Sequence, residues 1–100
     1  MIGVIVTLGP GDDLDRERAT AVAEQEGPLF QGMDGLLTKV FMWNDETETV
    51  INTYVWDSEE AARAFFTPEV KARVVELYGV EPRVQFAEVS ALIDNQVGVA

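Results

Sequence analysis

Residues 35–66 read GLLTKVFMWNDETETVINTYVWDSEEAARAFF, a pattern that predicts two β-strands, a polar turn between them and the start of a helix. Apolar side chains occupy both alternating positions along each strand, so both faces of the resulting sheet are apolar. Helices of the same chain can cover one face, but a chain of 100 residues has little material left for the other. We therefore expect a homodimer in which the sheets of two subunits face each other.

The segment before residue 35 predicts one strand and one helix. Residues 2–8 are rich in β-branched residues and end at a Gly-Pro-Gly turn. Asp12 or Asp13 then serves as the N-cap of a helix that runs towards Gly27, with a kink expected at Pro28. This gives a first β-α unit.

The segment after the hairpin predicts further helix and a last strand. Ser58 caps a short helix, and Thr67 precedes a second one that begins with proline at its first position. Gly79 stands where a left-handed residue is expected to end that helix, and residues 83–92 form the last strand. The order βαββαβ predicts a ferredoxin-like α+β fold with an antiparallel four-stranded sheet. Residues 95–100 are expected to form a loose or partner-contacting tail.

Composition limits the possible functions of this chain, which we interpret as a single domain over residues 1–100. Seven Lys and Arg against 18 Asp and Glu give a net charge of −11, which repels nucleic acid and anionic membrane surfaces. No cysteine and no histidine is present, so thiolate nucleophiles, imidazole bases and cysteine or histidine ligands to a metal or haem are excluded. The apolar N-terminus lacks a basic leader region and reads as a strand, which predicts a cytoplasmic protein.

The length of the turn sorts the hairpin side chains onto two faces. If the turn has an even number of residues, Trp43 pairs with Val50, and the pairs that follow are Phe41 with Asn52, Lys39 with Tyr54 and Leu37 with Trp56. Those eight residues share one face, and the other face is aliphatic: Leu36, Thr38, Val40, Met42, Ile51, Thr53 and Val55. A five-residue turn would mix the two sets. We prefer the even turn because it separates polar-aromatic from aliphatic residues.

The polar-aromatic face has the composition of a small-molecule pocket, with apolar walls and a few polar groups. Its amine, carboxamide and phenol belong to Lys39, Asn52 and Tyr54. The alternative is that the aromatic residues are core and that Lys39 extends to solvent. Asn52 fits that alternative least, because asparagine is disfavoured within strands and needs hydrogen-bond partners when buried.

The chain resembles a known superfamily over nearly its whole length, and the resemblance is clearest in two segments. The strand-to-helix sequence YVWDSEEA, residues 54–61, resembles the corresponding junction of the dimeric α+β barrel superfamily. The preceding MDGLLTK, residues 33–39, resembles the PGLL-x-K segment of its YdhR-type monooxygenases. The resemblance implies a dimeric α+β barrel built from two ferredoxin-like subunits.

The resemblance also suggests which chemistry to consider. Haem-degrading members place a tryptophan, an asparagine of the first strand and a histidine ligand around haem. Trp56 of this chain matches the tryptophan. The first strand offers only Val4 or its neighbours in place of the asparagine, and the chain has no histidine. Other members form quinones without metal or flavin and use Asn, Trp, Tyr and Arg. Asn52, Trp56, Tyr54 and Arg83 supply those residue types.

These observations lead to a hypothesis of a cofactor-independent monooxygenase that acts on an aromatic or polyketide-type small molecule, with no metal and no cofactor. Asn52, Tyr54 and Lys39 are the predicted catalytic residues. The predicted pocket residues are Trp43, Trp56, Phe41, Phe66 and Arg83. Two alternatives remain: a non-oxidative isomerase or cyclase of the same superfamily, and a non-catalytic small-molecule-binding dimer.

Overall fold

The protein is described by a computed structural model over residues 1–95. Its elements, in chain order, are β1 (Ile2–Leu8), α1 (Arg16–Phe30), β2 (Leu36–Asn44), β3 (Thr49–Trp56), α2 (Glu59–Phe65), α3 (Pro68–Tyr78) and β4 (Pro82–Glu88). The tail expected over residues 95–100 lies outside this range except for its first residue. Within residues 1–95, no helix has the length and apolar character needed to cross a membrane.

The four strands form one antiparallel sheet in the order β2-β3-β1-β4. The helices cover one face of this sheet. Along β1 and β3, buried core residues point to that face and alternate with half-exposed residues that point to the opposite face. This is the predicted ferredoxin-like α+β fold.

The hairpin confirms the even turn. Asn44 pairs with Thr49 across a four-residue connection, and the pairs Trp43 with Val50 and Phe41 with Asn52 follow. The side chain of Asn44 holds the turn, since its Oδ1 accepts from the backbone N–H groups of the second and third turn residues at 3.0 and 3.1 Å.

The predicted pairing of Leu37 with Trp56 is wrong. A bulge between Leu36 and Thr38 shifts the register, so that Leu36 pairs with Trp56 and packs against the core. Leu37 is the extra residue and is 49% exposed.

Two element boundaries also differ from the prediction. α1 begins at Arg16 with Asp15 as its N-cap, because residues 11–14 form a turn that buries Leu14. β4 ends at Glu88, which pairs with Ile2, the first residue of β1.

The caps of the other helices are as predicted. Ser58 and Thr67 accept hydrogen bonds from the backbone N–H groups three residues later, at 3.1 and 3.2 Å. Gly79 ends α3 with a positive φ of 76°, a conformation that glycine adopts at little cost. α1 continues through Pro28 to Phe30.

The sheet face opposite the helices carries apolar side chains that are left partly exposed by the described residues. Val40 and Met42 of β2 are 45% and 42% exposed, whereas Val4 and Trp56 on the helix face are 0% and 1% exposed. The homodimer that would cover this face stays a prediction.

Candidate active site

A cavity lies between the helix layer and the β2-β3 half of the sheet. Its volume is about 150 Å³, and α1, β2, β3 and α3 all contribute to its walls. The predicted residues Lys39, Phe41, Asn52 and Tyr54 all line it. The further lining residues that matter below are Glu26, Phe30, Phe65, Arg73 and Tyr78.

Asn52 lies in the middle of β3 with its side chain under the helices, where it is 4% exposed. Its neighbours across the sheet are Val6 and Phe41. Its Nδ2 donates to the Tyr78 hydroxyl at 3.3 Å, and its buried Oδ1 has no hydrogen-bond partner within residues 1–95. A buried acceptor without a donor costs stability, so this carboxamide is suited to receive a ligand hydroxyl.

Tyr78 was not assigned to the site from sequence. It lies at the end of α3, where the sequence pattern places it simply in the apolar stripe of that helix. Burial raises the pKa of its hydroxyl, the hydrogen bond from Asn52 acts in the opposite direction, and the charge of Glu26 adds to the increase. Tyr78 therefore remains a neutral hydroxyl at physiological pH, next to Asn52.

Lys39 projects from β2 into an aromatic surrounding. Its Nζ lies 3.7 Å from the ring centroid of Phe41, 4.2 Å from that of Tyr54 and 5.1 Å from that of Phe30. The nitrogen is buried and forms no hydrogen bond with any described residue. Burial lowers the pKa of Lys39 to about 7, because the charged form loses its hydration.

Tyr54 lies beside Asn52 on the same face of β3 and is 5% exposed. Burial is the main reason that its pKa is raised above the ordinary value, with a smaller contribution from Tyr78. The phenol is thus neutral, and its ring contacts Phe30 and Phe65 at centroid distances of 6.0 and 5.9 Å.

An ion pair closes the cavity between α1 and α3. The guanidinium of Arg73 donates through Nε to Glu26 Oε1 at 3.1 Å and through Nη2 to Oε2 at 3.0 Å. The Glu26 side chain is 9% exposed and that of Arg73 is 53% exposed, so the carboxylate is buried and the arginine reaches it from the rim. Sequence reasoning missed this pair, although an acidic residue on the apolar side of α1 was a signal for it.

Three predicted pocket residues lie next to this cavity without lining it. Trp56 stacks on Tyr54 at 6.2 Å with an interplanar angle of 13°, and its buried Nε1 has no partner in the part of the chain that the structure describes. Phe66 contacts the ring of Tyr54 at 5.1 Å and borders a separate void of about 10 Å³. Trp43 lines a neighbouring groove of about 280 Å³ that shares Phe41, Asn52 and Tyr78 with the cavity.

The structure does not bring Arg83 to the site. Arg83 pairs with Thr7 on β1, and both belong to the sheet face opposite the helices. Its Nη1 donates to the carbonyl oxygen of Gly9 at 3.3 Å. Among residues 1–95, no three acidic side chains come together in a way that could hold a metal ion.

No protein-family model matches the sequence, and no curated protein is similar to it in sequence. Solved structures are similar in fold. A monooxygenase of Streptomyces coelicolor, crystallised with the ligand nanaomycin D, has a TM-score of 0.69 and 19% identity over 92% of this chain and 89% of that protein.

Two other solved structures cover almost the whole chain. A cofactor-independent oxygenase of Streptomyces nogalater has a TM-score of 0.66 and 10% identity over 92% of this chain and 95% of its own. A protein of Deinococcus radiodurans named for the antibiotic biosynthesis monooxygenases has a TM-score of 0.65 and 18% identity over 94% of this chain and 97% of its own. The chain therefore shares the fold of these three solved structures.

Proposed function

We propose that this protein is a cofactor-independent monooxygenase that oxidises an aromatic, phenol-type small molecule in the cavity between sheet and helices. The resemblance to YdhR-type monooxygenases and the fold shared with the Streptomyces nogalater oxygenase support the reaction type. The Streptomyces coelicolor monooxygenase was crystallised with a small-molecule ligand, which supports a small molecule as the binding partner of this protein. We further expect a cytoplasmic homodimer.

One observation carries this proposal: the amine of Lys39 and the carboxamide of Asn52 face one apolar cavity, and each has a buried polar atom without a hydrogen-bond partner among residues 1–95. Packing alone gives no reason to keep such atoms, since each unsatisfied group costs about 1–3 kcal/mol. A bound molecule with a hydroxyl group would supply the missing partners.

Lys39 acts as the base in this mechanism. With a pKa of about 7, a large fraction of the amine is neutral at physiological pH and accepts the proton of the bound phenol. The ammonium so formed then stabilises the phenolate, in a cavity where an ion pair is stronger than in water. An electron-rich phenolate is the form of the substrate that reacts with oxygen.

Asn52 orients the substrate. Its Oδ1 accepts a hydrogen bond from a hydroxyl of the ligand, and the second hydrogen of Nδ2 is available to an oxyanion that develops during the reaction. Tyr78 fixes the rotation of the carboxamide, and Tyr54 forms a wall with a neutral hydroxyl.

The overall reaction needs no external reductant. When the ring CH opposite the hydroxyl of a single-ring phenol becomes C=O, one atom of O₂ enters the quinone product, the other leaves as water, and the substrate supplies all four electrons. The protein binds the substrate, removes its proton and excludes bulk water.

Oxygen uptake tests the proposal. The purified protein, treated with a chelator and free of flavin, is mixed with a panel of hydroquinones, substituted phenols and anthrones, and O₂ consumption is followed with an electrode. We expect uptake above the spontaneous rate with at least one compound, and its loss in Lys39→Met and in Asn52→Leu.

The same panel separates the alternatives. Conversion of a compound under anaerobic conditions would assign a non-oxidative isomerase or cyclase. Binding without any conversion would assign a non-catalytic binding protein, and either result would overturn the monooxygenase.

A further inference from the structure

The amine of Lys39 is placed as a nucleophile as well as a base. Three ring faces, from Phe30, Phe41 and Tyr54, surround the nitrogen at 3.7 to 5.1 Å, and no described residue accepts a hydrogen bond from it. Ring faces attract an ammonium group, but they do not replace the hydrogen bonds that its three N–H donors make in water. The loss of hydration on burial therefore outweighs the attraction of the rings and favours the neutral amine, whose lone pair is free.

The charged groups around the cavity leave Lys39 without a counter-ion. Glu26 of α1 is the acidic residue that lines the cavity, and both its oxygens are bound by Arg73 of α3. Tyr54 and Tyr78 face the same space from β3 and α3 as neutral hydroxyls, because burial raises the pKa of both. No free carboxylate among these lining residues is left to hold Lys39 in its charged form.

The size of the cavity limits what the amine can meet. An apolar cavity of roughly 150 Å³ accepts one benzene ring, and the cavity beside Lys39 has about 150 Å³. A three-ring compound does not fit that volume without opening towards the neighbouring groove.

We propose that Lys39 captures a single-ring aromatic aldehyde in this cavity as a Schiff base. The amine lone pair attacks the carbonyl carbon, a proton moves from nitrogen to oxygen, and a carbinolamine forms. Loss of water from the carbinolamine gives the imine, with the remaining nitrogen proton leaving in that water, so that no oxidant or reductant is consumed. The hydroxyls of Tyr54 and Tyr78 are the proton donors of the cavity for the departing oxygen.

This activity goes beyond the oxygenase and is independent of O₂. A failure of Schiff-base formation leaves the oxygen-uptake result untouched, and a failure of oxygen uptake leaves the trapping result untouched.

Reductive trapping tests the inference. The protein is incubated anaerobically at pH 7 with benzaldehyde, the imine is reduced with cyanoborohydride, and the modified site is located by peptide mass spectrometry. The chain provides its own control, because Lys71 is its only other lysine and lies exposed on α3.

We expect Lys39 to be labelled at least about tenfold faster than Lys71, because burial lowers the pKa of Lys39 to about 7 and the neutral amine is the nucleophile. Lys71→Met keeps the fast labelling, Lys39→Met loses it, and unfolding in urea removes the difference between the two lysines. 9-Anthraldehyde, which has three rings, labels Lys39 at least about tenfold more slowly than benzaldehyde.

Equal labelling of both lysines in the folded protein, or labelling of Lys71 alone, would overturn the inference. Should Lys39→Met fail to fold, the comparison of the two lysines within the folded wild-type protein still decides the question.

Discussion

The layer between sheet and helices has two halves that differ in how completely they are packed. Under α2, the core residues Val4, Trp56 and Ala62 are 0 to 1% exposed, and aromatic rings surround Trp56 on several sides. Between α1, α3 and β2, a cavity remains, and it contains the unpartnered polar atoms of Lys39 and Asn52. The same sheet therefore supports a half that contributes stability and a half that keeps groups available to a ligand.

The packed half should show the largest loss of stability on truncation. Trp56→Ala removes a fully buried indole between Tyr54 and Phe65 and leaves a void that close-packed neighbours cannot fill. We expect the free energy of unfolding to fall by about 3–5 kcal/mol, measured by urea denaturation. Leu37→Ala, at the exposed bulge, is the matched control and should cost less than about 1 kcal/mol; equal losses would contradict the contrast between the two sites.

The ion pair at the rim should come next. Arg73→Met leaves the buried carboxylate of Glu26 without its partner, and we expect the free energy of unfolding to fall by less than in Trp56→Ala. The double variant Glu26→Leu with Arg73→Met removes both charges and should recover most of that loss. A double variant as unstable as the single one would mean that packing, and not the unpaired charge, causes the loss.

Lys39 should give the protein a characteristic dependence on pH. Its pKa is about 7 in the folded protein against 10.5 for an ordinary lysine, so the unfolded chain binds more protons between these values. Stability therefore rises with pH in this window, by at most about 1.4 kcal/mol per pH unit. In Lys39→Met this rise should disappear, and stability at pH 7 should increase. Urea titrations at pH 7, 8 and 9 would detect both changes. If the variant keeps the pH dependence of the wild-type protein, the amine of Lys39 is hydrated and the prediction is wrong.

Asn52 should separate stability from function. Asn52→Leu removes an unsatisfied acceptor but leaves the Tyr78 hydroxyl without its donor, so we expect the free energy of unfolding to change by less than about 1 kcal/mol. Ligand binding and turnover should be abolished. A loss of more than roughly 2 kcal/mol would make Asn52 a structural hydrogen-bonding residue instead. Tyr78→Phe is the matched control, because it removes the same hydrogen bond between Asn52 and Tyr78 but keeps the carboxamide.

The smallest effect on the single subunit is expected on the open sheet face. Val40→Glu with Met42→Glu replaces two half-exposed residues, each with an expected change in subunit stability of about 0.5 kcal/mol or less. If a second subunit covers this face, sedimentation at micromolar concentration will show a homodimer for the wild-type protein and a monomer for the variant. A wild-type monomer would contradict the predicted dimer.

The hairpin shows which features of strand pairing can be predicted from the alternation of side chains. The even turn and the pairing of Phe41 with Asn52 follow from sequence because a shift by one residue would move every side chain to the other face. The bulge at Leu37 could not be predicted in this way, since residues 36 and 37 are both leucine and either one satisfies an apolar position.

The site was predictable where one hairpin contributes all its members. Lys39, Asn52 and Tyr54 reach the same cavity because they share a face of two paired strands. Tyr78 and the pair of Glu26 with Arg73 depend on how α1 and α3 pack together over the sheet, which local patterns do not determine. The position of Arg83 depends on the register of β4 against β1, and a single strand read alone does not reveal that register.

The two tryptophans of this chain lie at chemically different places, and this makes them internal spectroscopic probes. Trp56 is buried among rings, and its Nε1 has no acceptor within residues 1–95, whereas the Nε1 of Trp43 donates to Asp45 at 3.0 Å in the exposed turn. Fluorescence from Trp56 should thus lie at shorter wavelength than that from Trp43. With Trp43→Phe and Trp56→Phe variants, a titration would distinguish a ligand that enters the groove beside Trp43 from one that disturbs the rings around Trp56.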